Sequence, residues 1–178
     1  GSFAETDALS PRSPYSASKA GSDLIALAYV ETYGLPVVLT RSSNNFGPYQ
    51  FPEKVIPLFA TNLLDGRKVP LYGDGGNVRD WIHVEDHNSA VWRILADGEI
   101  GRTYLIGAEG ERDNRAVMRT ILGLMGREPD DFDHVTDRAG HDLRYAIDPS
   151  ALRDDLAWRP RHTDFDEGLR TTIDWYRD

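Results

Sequence analysis

Tyr15 and Lys19 stand four residues apart in the run Ser13-Pro14-Tyr15-Ser16-Ala17-Ser18-Lys19. On a helix that spacing puts both side chains on one face, one turn apart. A tyrosine alone is a poor base at neutral pH. An ammonium held about 4–5 Å from a phenol oxygen, at an effective dielectric of ~20, stabilises a phenolate by roughly 3–4 kcal/mol. Such a pair suits a group that must take a proton and later give it back. Plain helical surface produces the same spacing, so the pair needs support from the rest of the chain.

The elements around it follow from local signals. Ser13 is an N-cap and Pro14 a first helical residue, predicting a helix over Pro14–Tyr33 that stops at Gly34. Its second half (Leu24, Ile25, Leu27, Ala28, Tyr29, Val30) is apolar over more than one stripe, which predicts cover on two sides. Residues 37–41 read as a buried parallel strand. The loop 42–50 leaves that strand's carboxyl end, where open α/β sheets bind ligands. Asn44 and Asn45 offer donors and acceptors there, although turn chemistry explains them equally. Residues 53–65 read as a helix with Lys54 in its first turn, a place unfavourable for a cation unless an anion lies near. A solvated lysine is the plain alternative.

Val69–Tyr72, the glycine-rich 73–77 and 78–84 read as strand, turn and strand, that is, a hairpin. Arg79, Trp81 and His83 share one face of the second strand. The planar fork of Arg79 fits a phosphate, or an ion pair with Asp80 or Asp86. His83 has no second ligand at metal spacing and reads as structural. A helix over 84–96, a strand over 104–107 and a helix N-capped by Asn114 follow. After a polar loop over 137–145 come a short helix and a final helix over 164–177, the latter with Phe165, Leu169, Ile173 and Tyr176 inward.

At 178 residues the chain suffices for one domain, or one domain and part of another. A formal charge of −9 argues against nucleic acid and requires that any anionic substrate be held by local cations. The absence of cysteine excludes disulfides and thiolate metal sites and is compatible with a cytoplasmic location. No apolar run approaches the ~20 residues of a membrane span, and neither a signal peptide nor an internal repeat is visible.

Taken with Ser43-Asn44-Asn45-Phe46-Gly47-Pro48-Tyr49, Pro52-Glu53-Lys54-Val55-Ile56-Pro57, Arg79-Asp80-Trp81-Ile82-His83-Val84 and Asp137-Arg138-Ala139-Gly140-His141-Asp142, the Tyr15–Lys19 pair resembles the extended, nucleotide-sugar-modifying branch of the short-chain dehydrogenase/reductase superfamily. More narrowly the chain is similar to the dTDP-glucose 4,6-dehydratase family. The resemblance implies an α/β fold: the C-terminal part of an NAD(P)-binding, doubly wound Rossmann-like enzyme plus a small α/β substrate domain. Residues 1–50 would end the dinucleotide domain, and 51–178 would form mainly the sugar-nucleotide region. The glycine-rich NAD unit and the family's Asp-Glu acid/base pair match nothing in this sequence, so the chain is expected to be inactive by itself. An independent small protein is the alternative.

For the whole enzyme the resemblance implies a lyase of deoxysugar biosynthesis using NAD. Hydride leaves C4, water is lost across C5–C6, and the hydride returns to C6. Tyr15 and Lys19 would be catalytic and touch the cofactor, with Asn45 near the nicotinamide. Asn44, Lys54, Val55, Ile56, Pro57, Pro70, Leu71, Tyr72, Arg79 and Asn114 would hold the sugar nucleotide. Asp137, Arg138, Ala139, Gly140 and His141 would close over the diphosphate, with Ala139 standing where the family has proline. The Pro14–Tyr33 helix would meet its mate in a homodimer. No nucleic acid, membrane or metal is implied. A 4-epimerase or decarboxylase of the same branch, and a silent binding fragment, are the rival readings.

Overall fold

The computed structural model describes residues 1–137, 140 and 142–178. Its helices are α1 (Pro14–Tyr33), α2 (Val55–Leu64), α3 (Val84–Asp97), α4 (Asn114–Leu124), α5 (Ser150–Leu156) and α6 (Phe165–Arg177). Its strands are β1 (Leu39–Ser42), β2 (Asn44–Phe46), β3 (Val69–Tyr72), β4 (Val78–His83), β5 (Thr103–Ile106), β6 (Glu111–Asp113), β7 (Phe132–Val135) and β8 (Arg144–Tyr145).

Caps set the helix ends. The Ser13 hydroxyl accepts from the Ser16 N–H at 3.1 Å, and Gly34 closes α1 at φ 64, a left-handed conformation glycine adopts without strain. α4 is capped by Asp113, whose carboxylate accepts from the Ala116 N–H at 2.7 Å; Asn114, expected as the cap, is the first helical residue. α2 begins at Val55, so Lys54 is its N-cap rather than a first-turn residue.

β1 pairs with β5 and β3 with β7, both in parallel. β4 is the hub of the third sheet, pairing with β2 and β8 in parallel and with β6 antiparallel. The expected hairpin of β3 and β4 does not form. The turn between them is tied to α4 instead: Gly75 has φ 72, a side chain on it would meet Leu71 and Arg115, and its carbonyl accepts from the Arg115 N–H at 3.0 Å. The chain therefore turns away and leaves β3 to pair with β7. Residues 44–46, expected as loop, become β2 because β4 supplies a ladder for them.

Two cores lie on either side of β4, as strand alternation requires. Trp81 joins Phe46, Phe165, Leu169 and the buried faces of α2 and α4. Ile82 joins Ile94, Tyr104, Leu152 and Trp158 beneath α3 and α5. α1 differs. None of its residues is buried, and Leu24, Ile25, Tyr29 and Tyr33 are exposed. The expected two-sided cover is absent within this chain, because among the described residues no element packs over those side chains. An Arg41–Asp23 ion pair of 2.8 Å ties the helix to β1. The start of the chain is tied to its later part: the Phe3 N–H donates to Ala146 O at 2.9 Å and the Asp148 N–H to Phe3 O at 2.8 Å.

Candidate active site

The site is assembled on β4. β2 lies beside it with Asn44 opposite Trp81 and Asn45 opposite Ile82. Arg79, two positions before Trp81, directs its guanidinium to the carbonyls of Val78 and Asp142, each at 2.7 Å. Asn77, only 3% exposed, donates from Nδ2 to the same Asp142 carbonyl at 3.1 Å. Its own carbonyl accepts from the Asn114 N–H at 3.0 Å. Two side chains thus draw residue 142 onto the start of β4, and the backbone of Asn77 also holds the start of α4.

The remainder of that loop touches two further elements. Asp137 packs on Gly73, where an added Cβ would stand 3.2 Å from the Asp137 Cβ, so Asp137 lies beside Tyr72. A Cβ on Gly140 would stand 3.6 Å from Arg12 O, so the loop reaches the entry of α1, close in the chain to Tyr15. Arg138, Ala139 and His141 lie outside the described residues. Tyr15 is 74% exposed and Lys19 is exposed, both on the open helix. The structure therefore holds residue 142 on Arg79 and Asn77, sets Asp137 against Gly73 and Gly140 near the α1 entry, and joins Asn114 to the group through Asn77.

On the other flank Lys54 is exposed, 4.0 Å from Glu53, and Val55 and Pro70 are half-buried. Ile56, Pro57 and Leu71 are buried, Ile56 and Leu71 within the larger core.

The carboxylates weighed as partners of Arg79 both bind backbone. Asp86 accepts from the Arg161 and His162 N–H groups at 2.9 and 2.8 Å. Asp80, 1% exposed, accepts from the Gly110 N–H at 2.7 Å, and burial pushes its carboxyl above the ordinary range. An acidic hollow of ≈ 340 Å³ lined by Asp80, Glu109, Glu111 and Asp148 contains none of the residues expected from the sequence to hold cofactor or substrate. Its carboxylates repel a diphosphate, so it is not the substrate site.

His83 has neighbours that its local sequence does not show. Its ring stacks on His162 at 4.2 Å, and ligand atoms of His83, Glu85 and His162 lie within 4.8 Å of one another. Yet His83 Nδ1 accepts from the Glu85 N–H at 3.3 Å, capping α3, and burial followed by the neighbouring His162 lowers its pKa. The Nδ1 contact gives His83 a structural role as the cap of α3. Sequence reasoning overlooked Asn77, whose position after two glycines looks like ordinary turn chemistry.

Residues 1–172 match the family described as GDP-mannose 4,6-dehydratase. The chain belongs to this family. The dTDP-glucose 4,6-dehydratase of Mycolicibacterium smegmatis is 67% identical over 175 residues, covering 98% of this chain and 53% of the relative. The crystal structure of DesIV, the dTDP-glucose 4,6-dehydratase of Streptomyces venezuelae, has NAD and TYD bound. It is similar to this chain with a TM-score of 0.97 at 51% identity, covering 99% of this chain and 55% of that one. The UDP-glucose 4-epimerase of Thermotoga maritima, with UDP-glucose, is 25% identical with a TM-score of 0.91, covering 98% of this chain and 57% of that one. The chain spans about half the length of these family relatives. The fold is that of the extended short-chain dehydrogenases/reductases, as the motifs led us to expect.

Proposed function

We propose that this chain is the substrate-holding and proton-transferring part of a dTDP-glucose 4,6-dehydratase, a lyase that works with NAD as a full-length protein. The observation that carries the reading is the hold of Arg79 and Asn77 on residue 142, with Asn77 also bonded to Asn114 and Gly140 near the entry of α1. The 67% identity to the mycolicibacterial dehydratase supports dTDP-glucose among the sugar nucleotides. We assign residues 1–50 to the end of a dinucleotide-binding domain and 51–178 mainly to the sugar nucleotide, with β5 returning to pair with β1.

Tyr15 and Lys19 stand open on one helix and Asn45 sits mid-strand in β2, and we assign these three to the nicotinamide end of NAD. No strand–glycine–helix cradle for its diphosphate occurs among the described residues. NAD supplies hydride acceptance at C4 and hydride return at C6. The Tyr15 oxygen takes the proton of the sugar 4-hydroxyl, and Lys19 compensates the charge that develops there. Arg79 holds a phosphate through its fork, joined by Lys54 and the 137–141 loop, while Asn44 orients the sugar nucleotide and Tyr72 stands beside its base. The open apolar face of α1 meets its mate in a homodimer.

A 4-epimerase is the second reading, favoured by the likeness to the Thermotoga enzyme. Incubating the full-length protein with dTDP-glucose separates the two. Dehydration yields a keto product lighter by one water, whereas epimerisation leaves the mass unchanged and would overturn the first reading. Saturable NAD binding by residues 1–178 alone would overturn the assignment of the diphosphate cradle to other residues.

A further inference from the structure

The segment 47–54 joins β2 to α2 and carries Lys54. It is fastened from the far end of the chain. The Tyr176 hydroxyl donates to Gln50 O at 2.8 Å, across 126 residues of sequence. Gln50 in turn donates from Nε2 to Asn45 O at 2.8 Å, and the Tyr49 ring lies 4.7 Å from the Trp175 ring.

The path of this segment is tightly held. Gly47, at φ 139, has no room for a side chain, since a Cβ would stand 2.5 Å from Val84 Cγ1. Tyr49, at φ 63, takes a left-handed conformation that a bulky residue keeps only when its surroundings impose it. The surroundings here are α6, itself fixed by the fully buried Leu169 and Ile173 and by a hydrogen bond from Arg177 to Leu124 O at 2.6 Å. α6 is therefore the fixed member and the segment the member it positions. Gln50 Oε1 is buried with no hydrogen-bond partner, so the amide is oriented by what its nitrogen donates to.

We propose that Tyr176 and Gln50 are positioning residues for sugar-nucleotide binding. Through the relay Tyr176–Gln50–Asn45 they fix the end of β2 relative to Lys54, and so set the affinity for the nucleoside diphosphate. The inference rests on the reading of Asn44 and Lys54 as substrate contacts. Neither relay residue needs to touch the reacting atoms.

The test uses the full-length enzyme with Tyr176→Phe, which keeps the ring and removes the donor, and Gln50→Met, which keeps the length. Each is expected to raise the KM for dTDP-glucose about 2- to 12-fold, the factor for one neutral hydrogen bond, with kcat within about twofold. Because both break one relay, the double variant should be no worse than about the poorer single. A lowered melting temperature with KM unchanged, or fully additive effects on KM, would overturn the proposal. If the wild type does not dehydrate dTDP-glucose, the dehydratase reading falls by itself. Calorimetric dTDP binding and amide exchange of residues 47–54 then decide the relay, and values unchanged by Tyr176→Phe would overturn it.

Discussion

β4 and α1 carry the two halves of the proposed chemistry and are built in opposite ways. β4 has ladder partners on both edges and a core against each face, and its polar side chains are met by backbone groups from elements far along the chain. α1 has sound caps and an ion pair to β1, but no buried residue. The groups proposed to hold substrate need fixed geometry, and β4 provides it. The pair proposed to transfer the proton needs room for a cofactor and a sugar, and α1 leaves it open. Precision of placement and access to ligand are thus assigned to different elements.

Substitutions at five positions in the full-length enzyme sharpen or break that contrast. Tyr15→Phe should lower turnover about 10²- to 10⁴-fold, as for loss of a general base, while NAD titration remains close to wild type. Near-normal turnover would remove the open helix from the chemistry. Trp81→Ala should cost about 3–5 kcal/mol in urea unfolding, because a large ring leaves a packed core. Leu24→Glu on α1 should instead give a half-mass species by light scattering. An unchanged mass would break the dimer assignment.

Arg79→Ala should weaken dTDP-glucose binding about 10- to 150-fold, the effect of losing a charge-assisted hydrogen bond, and Arg79→Lys should recover part of it. Equal affinity with a lowered melting temperature would make Arg79 a brace for residue 142 and nothing more. The smallest effect belongs to Asp80→Asn. Burial raises the Asp80 carboxyl in the folded protein, so the folded state holds a proton that the unfolded chain has released. Wild-type stability from this group is fully present below the ordinary carboxylate range and is lost as pH rises through the raised value. The asparagine variant should therefore melt higher than wild type at neutral pH and lose that advantage in acid. Parallel melting curves across the whole range would contradict this.

The sequence was most legible where a signal and its consequence are adjacent. Ser13, Pro14 and Gly34 bound α1, and the spacing of Phe165, Leu169 and Ile173 sets the buried face of α6. β2, β6 and β8 were illegible because Asn44-Asn45, Glu111-Arg112-Asp113 and Arg144-Tyr145 carry little or mixed strand preference of their own. They are strands because β4 offers them a ladder. β7 escaped notice for a related reason, having only β3 as its template. Within the site, residue types were readable but partners were not. Asn77 meets residue 142 and Asp80 meets Gly110 across gaps that no local pattern spans.

The hub position of β4 also has a consequence in time. Arg79 leaves the ribosome well before Asp142, the carbonyl that orients it 63 residues later, and at about 5–20 residues per second that interval lasts roughly 3–13 s. During it the β4 edges that later receive β6 and β8 are unpaired, a template for another nascent chain. Slower elongation between codons 80 and 145 would lengthen that exposure without altering a single residue of the finished site. Synonymous codon choice across this stretch should therefore influence the yield of soluble enzyme.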